Sequence, residues 1–260
     1  MKLAVDVGYG YSKALSETGR RACFPSACSP APPDVAPGVF AAMPHRVEVI
    51  RGGKAERYLV GEAALRSRTA AVTLSREKPA EIHDVLLLAA AYLAGAGRAT
   101  SLAVGLPLAY YRTQRQALAA RLAGLAAQVS VDGGPPREID FAGGVRVVPQ
   151  GAGVVLAEPR LPDGLVGAVD VGHHTTDYLL IEVRDGQPLP LLDYCGSVEA
   201  GAHLVAAAVA REFSAQTGAP LDLAEAVQVT DWVRQGQPVT YDGRPLDLAP
   251  AYRAACQETG

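Results

Sequence analysis

The sequence has too few cysteines and too short apolar runs for several classes of protein. Four cysteines in 260 residues are too few for a disulfide scaffold, and their spacing does not match paired metal-binding motifs. The longest apolar run, residues 85–96, is too short to cross a bilayer. A secretion signal has an apolar segment behind a basic start, and the sequence shows no such pattern. The composition therefore predicts a cytoplasmic protein with reduced thiols and no membrane association.

The charge balance is nearly neutral. The chain contains 24 basic and 27 acidic side chains, which gives a net charge of −3, and 49% of its residues are hydrophobic. This composition is typical of a globular protein with a substantial core. The small negative charge provides no overall attraction to nucleic acid.

A five-residue motif occurs twice. Residues 4–8 read Ala-Val-Asp-Val-Gly, and the same residues return at 168–172, which is 164 positions later. Each copy ends an apolar run and precedes a second strand-like run, so each predicts strand, turn and strand. The repeat predicts two similar α/β domains, residues 1–150 and 151–260, each contributing one turn to a shared cleft.

The first turn has the residues that a phosphate-binding loop needs. Gly8 and Gly10 permit a tight turn whose backbone N–H groups can bind an anion. Lys13 adds a positive charge seven residues after Asp6. A carboxylate at a strand end suits Mg²⁺, which prefers few carboxylates and several waters.

The second turn repeats this arrangement and adds hydroxyl groups. Thr175 and Thr176 can donate hydrogen bonds to phosphate oxygens. The turn also contains the adjacent His173 and His174, and no further ligand cluster indicates a metal there. Two such turns in one chain favour a clamp on a polyphosphate and its metal ion.

These residues resemble the actin-like ATPases of the actin, sugar-kinase and heat-shock chaperone superfamily, and within it the ParM/StbA-type filament proteins. The resemblance covers residues 1 to about 215 and depends on residues 5–13, 24–26, 60–64, 104–108, 148–153 and 168–177. It implies an α/β, actin-like (ribonuclease H-like) fold with duplicated domains around a nucleotide cleft. It also implies ATP and Mg²⁺ as cofactors, ATP hydrolysis, and self-assembly into filaments that segregate plasmid DNA through an adaptor protein.

The resemblance also implies roles for single residues. Asp6 and Asp170 would hold Mg²⁺ through waters and act in catalysis, and Gln150 would orient the attacking water. Alternatively, Gln150 is a polar residue that caps the short helix after it. The residues implied in phosphate and nucleotide binding are Gly8, Tyr9, Gly10, Lys13, Gly172, His173, His174, Thr175, Thr176 and Gly201.

The sequence departs from this family near its end. No glycine-rich adenosine loop follows Gly201, which predicts either a truncated chain or a degenerate member with poor ATP affinity. One alternative function is a small-molecule kinase similar to type III pantothenate kinase, although the Gly-Ala-Asp-Arg segment of that kinase is missing. Another is the activator ATPase of CoA-dehydratases, for whose iron–sulfur cluster the cysteines are poorly placed. A third is a nucleotide-binding scaffold that does not hydrolyse ATP.

Overall fold

A computed structural model describes residues 1–32, 45–67, 71–72, 80–158 and 160–259. The chain divides into two compact units. Unit 1 comprises Met1–Asp170 and Asp177–Ser197, and unit 2 comprises Val171–Thr176 and Val198–Gly260. The domain boundary predicted after residue 150 stays a prediction. Most of the proline-rich connection predicted at residues 29–44 lies outside the described residues.

The chain contains both strands and helices. The strands are β1 Lys2–Val7, β2 Tyr11–Ser16, β3 Arg21–Pro25, β4 Ala27–Pro30, β5 Arg46–Arg51, β6 Lys54–Val60, β7 Ala71–Val72, β8 Ser101–Leu106, β9 Ala126–Val131, β10 Arg137–Asp140, β11 Val145–Pro149, β12 Gly164–Val171, β13 Thr176–Arg184, β14 Gln187–Pro190, β15 Gly196–Val198, β16 Val239–Tyr241 and β17 Arg244–Leu246. The helices are α1 Glu62–Leu65, α2 Ala80–Leu93, α3 Leu108–Ala123, α4 Ala152–Ala157, α5 Ala202–Thr217, α6 Leu223–Arg234 and α7 Ala249–Thr259.

A five-stranded sheet in unit 1 has the order β11-β8-β1-β2-β3. β1 and β11 each pair in parallel with β8, whereas β2 pairs antiparallel with β1. The carboxyl ends of β1, β8 and β11 therefore lie at one edge of the sheet. In open α/β sheets this edge is the usual place for ligands. Here it brings together three segments that are far apart in sequence.

Helix α2 lies in the main core of unit 1. It contacts strands of the five-stranded sheet and of a second sheet, which has the order β10-β9-β5-β6-β4-β7. Its residues from Val85 to Ala91 are all fully buried. A helix that is apolar on every side is stable only when every side is covered, and contact with two sheets satisfies this requirement.

The secondary structure confirms some sequence-based boundaries and corrects others. Two strand-like runs around Gly52-Gly53 predict a hairpin over residues 46–60. It forms from β5 and β6, and Gly52 and Gly53 adopt positive φ angles of 55° and 82° at its turn. The sequence also predicts one strand at residues 20–27, where the structure has two, β3 and β4. It predicts a further strand at residues 189–194, which is wrong, because β14 ends at Pro190 and a 3₁₀ turn follows at Leu192–Tyr194.

Unit 2 is mainly helical. α5, α6 and α7 pack around a small core that includes Val209, Phe213 and Leu248. α6 begins with a capping box, in which the Asp222 carboxylate accepts from the Glu225 amide and the Glu225 carboxylate accepts from the Asp222 amide. Both partners satisfy amides at the helix start that otherwise lack acceptors.

Two further sequence expectations concern cysteines and membrane spans. All four cysteines are free thiols in the structure, which confirms that they form no disulfide framework. Within the described ranges, none of the helices has the length and apolarity that crossing a bilayer requires.

Candidate phosphate-binding site

The first predicted phosphate turn joins β1 to β2. The Gly8 amide donates to the carbonyl oxygen of Tyr11 at 3.1 Å. A Cβ atom at Gly8 would lie 2.8 Å from that same oxygen, which is closer than a carbon atom can approach. The turn therefore closes only with glycine at this position. Lys13 stands opposite Asp6 in the β1–β2 register and is exposed, so its ammonium group is accessible to an anion.

The second predicted turn has the same local geometry. The Gly172 amide donates to the carbonyl oxygen of Thr175 at 2.8 Å, and a Cβ atom at Gly172 would lie 2.9 Å from that oxygen. In both turns a glycine two residues after an aspartate donates to the carbonyl three residues further on. The repetition seen in the sequence is thus a repetition of backbone structure.

Gln150 contacts Asp6 at the carboxyl edge of the five-stranded sheet. Its Nε2 donates to Oδ1 of Asp6 at 2.8 Å. A carboxylate can only accept, so this bond fixes the amide orientation and leaves Oε1 of Gln150 as an acceptor. Gly105 on β8 leaves the necessary space, since a Cβ atom there would lie 3.1 Å from Cγ of Gln150 and 3.4 Å from Oδ1 of Asp6.

Asp170 lies next to Gly151, the residue after Gln150. Gly151 has a φ of 84°, and a Cβ atom there would lie 3.9 Å from Cβ of Asp170 and 2.8 Å from Cδ1 of Leu179. Gln150 and Gly151 thus each approach one of the two aspartates that were predicted to hold Mg²⁺. Within unit 1, therefore, the start of α4 lies close to both carboxylates.

Asp177, the last residue of the second motif, binds the start of α3. Its Oδ2 accepts from the Leu108 amide at 3.3 Å, and its Oδ1 accepts from the Ser197 hydroxyl. The Ala109 amide donates to Oγ of Ser197 at 3.2 Å. Burial raises the pKa of the Asp177 carboxyl, as does the nearby charge of Asp170, while both hydrogen bonds oppose the rise. This aspartate therefore caps a helix from a distant part of the chain.

His173 and His174 of the second turn form a cluster with His203 of α5. The ring centroids of His173 and His174 are 5.0 Å apart, and those of His174 and His203 are 4.8 Å apart. Nε2 of His173 is buried without a hydrogen-bond partner. Burial, followed by the charges of His174 and His203, lowers the pKa of His173 to about 4. His173 is therefore neutral at physiological pH.

Gly201 holds the second turn against the start of α5. A Cβ atom at Gly201 would lie 2.6 Å from the carbonyl oxygens of both Gly172 and His173. The Ala202 and His203 amides donate to these two oxygens at 3.1 and 2.9 Å. Gly201 thus contributes through close packing of the turn, and its predicted role in nucleotide binding stays a prediction.

Several other predicted ligand residues already take part in local contacts. The Thr176 hydroxyl donates to the Ala200 carbonyl at 2.8 Å, so its proton would have to leave that oxygen to reach a phosphate. The Gly10 carbonyl accepts from the Ser26 amide at 2.9 Å. Phosphate contacts by these residues, by Tyr9 and by Thr175 stay predictions.

Sequence reasoning missed Gly105, Asp177 and His203 as parts of this region. Asp177 ends the repeated motif, which is the one signal that could have revealed it. Gly105 belongs to the motif at residues 104–108, but neither its approach to Gln150 and Asp6 nor the contact of His203 has a local signal, because both depend on residues far away in the sequence. Among the described residues, no group of three or more His, Cys, Asp or Glu side chains is arranged to hold a metal ion.

Comparison with family models identifies both parts of the chain. Residues 4–153 match the N-terminal domain of actin-like proteins. Residues 168–260 match the C-terminal domain of the archaeal MreB-like actin homologue. A comparison with curated protein sequences gives no match. The first match covers more than half of the chain, and the chain therefore belongs to the actin-like proteins.

Solved structures share this fold at low sequence identity. A ParM protein in a 15-stranded filament from Clostridium botulinum matches with a TM-score of 0.87 and 21% identity, over 99% of this chain and 80% of that chain. A non-polymerisable quadruple mutant of pCBH ParM matches with a TM-score of 0.83 and 22% identity, over 99% and 80% of the two chains. The archaeal actin homologue Ta0583 in complex with ADP matches with a TM-score of 0.73 and 20% identity, over 99% and 79%. The chain thus has the actin-like two-domain α/β fold.

Proposed function

We propose that this actin-like protein binds ATP with Mg²⁺ through its two glycine turns, hydrolyses it, and assembles into filaments that segregate plasmid DNA through an adaptor. The observation that carries the proposal is the repeated turn. In each copy an aspartate stands two residues before a glycine, and the glycine amide donates to the carbonyl oxygen three residues further on. The similarity to ParM filaments and to an ADP-bound archaeal actin homologue supports it.

The residues present fit a polyphosphate with its metal ion. Gly8 and Gly172 allow each turn to close on its own carbonyl oxygen, and a tight turn of this kind can present backbone N–H groups to an anion. Asp6 and Asp170 offer the few carboxylate oxygens that suit a largely hydrated Mg²⁺. When bound, Mg²⁺ would neutralise negative charge on the β- and γ-phosphates.

Gln150 is suited to orient a water molecule for attack on the γ-phosphate. Its hydrogen bond to Asp6 immobilises the amide, and its Oε1 remains able to accept a proton from water. An acceptor held in this way can align the lone pair of the water with the phosphorus, as in-line transfer requires. Because this contact concerns the attacking water, it lowers the barrier more than it strengthens ATP binding.

Two substitutions test the proposal in the 260-residue chain. We expect Asp170→Ala to abolish hydrolysis, since the phosphates then lose part of their charge neutralisation. We expect Gln150→Ala to slow single-turnover hydrolysis by about 10²–10³-fold and to leave the Kd for ATP nearly unchanged. Both constants are measured for each variant, with Mg²⁺ present.

Asp193→Ala is the matched control, because it also removes one carboxylate from unit 1, at an exposed position outside both turns. It should retain the parental rate and Kd. If Gln150→Ala weakened ATP binding tenfold while bound ATP was hydrolysed at the parental rate, Gln150 would be a structural residue. If the parent protein bound no ATP at all, the proposed function would be wrong.

A further inference from the structure

Three of the five histidines in the chain gather at the second turn and the start of α5. They come from two segments, since His173 and His174 lie in the turn and His203 lies in the first helical turn of α5. All three are at least partly buried. Their rings are not arranged to hold a metal ion. Each imidazole of the cluster can exist in a neutral or a protonated form.

The hydrogen bonds of His203 fix its tautomer. Its Nδ1 lies 2.8 Å from the His173 carbonyl oxygen, which can only accept, so Nδ1 carries the hydrogen. In the neutral ring Nε2 then has a free lone pair. This nitrogen is the atom of His203 that can take up a proton.

The start of α5 cannot provide its first amides to an anion. The amides of Ala202 and His203 already donate to the Gly172 and His173 carbonyls. A negative ligand at the second turn is therefore stabilised by the turn's own amides and by any positive charge on the neighbouring imidazoles. A negative charge within about 4–6 Å favours the protonated form of an imidazole.

We propose that binding of the nucleotide phosphates at the second turn is coupled to uptake of one proton by the His173–His174–His203 cluster, with Nε2 of His203 as the accepting nitrogen. This inference rests on the proposed function, because it requires that the turn binds phosphate. The proton comes from solvent, and no covalent bond changes other than the new N–H bond. The cluster would then make nucleotide affinity sensitive to pH.

Charged groups near the histidine cluster influence how readily it binds a proton. Burial, followed by the charges of His174 of the same turn and His203 of α5, lowers the pKa of His173, so His173 itself holds a proton less readily than an exposed imidazole. The acidic residues nearest in sequence are Asp170, three residues before His173, Asp177, three residues after His174, and Glu199, four residues before His203. Nucleotide binding adds the negative charge of the phosphates to these groups.

The sign of the pH dependence follows from this coupling. Binding favours the protonated cluster, so the pKa of the cluster is higher in the bound protein than in the free protein. Affinity is then highest below the free pKa and declines as the pH rises towards the bound pKa. For one proton the limiting slope is a tenfold increase of Kd per pH unit.

The test is calorimetry of Mg·ADP binding between pH 6 and pH 8, in buffers of different ionisation enthalpy. The parent protein should take up close to one proton per nucleotide in the pH range where its affinity declines. His203→Asn should remove both effects, because an asparagine amide can still donate to the His173 carbonyl but has no titrating nitrogen. His45→Asn is the control, since asparagine tolerates the positive φ of 62° at that position, and it should behave as the parent.

The outcomes separate this inference from the proposed function. Mg·ADP binding with a constant Kd and no proton uptake overturns the inference and leaves the proposed function standing. Proton uptake that persists in His203→Asn and in His174→Gln also overturns it, since another group then titrates. No binding heat in the parent at any pH overturns the proposed function and the inference with it. Imidazole NMR spectra of each variant, with and without Mg·ADP, show which rings change protonation in the folded chain.

Discussion

The second turn can close only because Gly172 has a hydrogen atom in place of a side chain. A Cβ atom would lie 2.9 Å from the Thr175 carbonyl oxygen, and this neighbour is backbone that cannot rotate away. Gly8 has the same restriction, at 2.8 Å from the Tyr11 carbonyl oxygen. The two turns therefore depend on glycine for space and not for a positive φ.

Gly172→Ala should lower the free energy of unfolding by about 1–3 kcal/mol, because overpacking forces the backbone to shift. It should also weaken nucleotide binding, since the shift displaces the turn amides. Gly153→Ala is the control, because no atom lies within 4 Å of a Cβ atom at that position in α4. There, alanine should add about 0.5–1 kcal/mol of stability. Urea unfolding measures both changes, and an unchanged midpoint for Gly172→Ala would contradict the argument.

The start of α3 shows how a tertiary contact sets the boundary of an element. The apolar spacing Leu118, Leu122 and Leu125 predicts a helix from residue 113, yet the helix begins at Leu108. Its N-cap residue, Pro107, provides no side-chain acceptor. The acceptors come instead from Asp177 and Ser197. The first turn of α3 thus depends on groups that lie far along the chain.

Removing the Asp177 side chain should destabilise α3. Asp177→Ala leaves the Leu108 amide and the Ser197 hydroxyl without this acceptor, which should cost about 1–3 kcal/mol. Asp177→Asn keeps an oxygen acceptor without the charge, so it should be less harmful at neutral pH. Urea unfolding of the parent and the two variants measures the difference. Equal stability of the parent and Asp177→Ala would show that the cap contributes nothing.

The pH dependence of the same contact has a definite sign. The pKa of Asp177 is raised in the folded protein, mainly by burial, so the folded state binds more protons than the unfolded state above the ordinary Asp pKa of 3.8. Its contribution to stability is complete below that value and is lost as the pH rises through the folded pKa. The parent should therefore gain stability relative to Asp177→Asn as the pH falls from 7 towards 4. Parallel curves for the two proteins would contradict the raised pKa.

At the scale of the whole molecule, the family and the fold are established, and self-assembly is the prediction that follows from the proposed function. We expect Mg·ATP to increase light scattering and the pelleted fraction at concentrations up to tens of micromolar. Asp170→Ala should alter the persistence of the assemblies, because hydrolysis is lost while monomers can still associate. Scattering that stays flat with Mg·ATP across that range would count against filament formation.

The net charge of −3 bears on the expected DNA partner. A protein that binds duplex DNA directly gains affinity by neutralising phosphates with basic side chains. This chain has no excess of them over acidic side chains. The charge balance is therefore consistent with the proposal that DNA is reached through an adaptor.

The sequence alone determined the features that depend on neighbouring residues. The repeated Asp-x-Gly turns, the β5–β6 hairpin with its Gly52-Gly53 turn, and a helix over residues 79–94, which corresponds to α2, could be predicted, because local backbone preferences and apolar spacing fix them. The burial of α2 on every side could not, because it depends on contact with two sheets. The family resemblance followed from the same local motifs. The roles assigned to the site residues of these motifs stay predictions.

Only the tertiary structure decided the contacts between distant residues. Gln150 reaches Asp6 across 144 positions, Asp177 caps α3 across 69, and His203 joins the second turn across 30. No local pattern specifies these pairs, since each depends on strand order, on parallel strands ending at one edge, or on a helix start packed against a turn. The physical reason is that hydrogen-bond geometry is set by positions in space, and residues so far apart in sequence have defined positions only after the chain has folded.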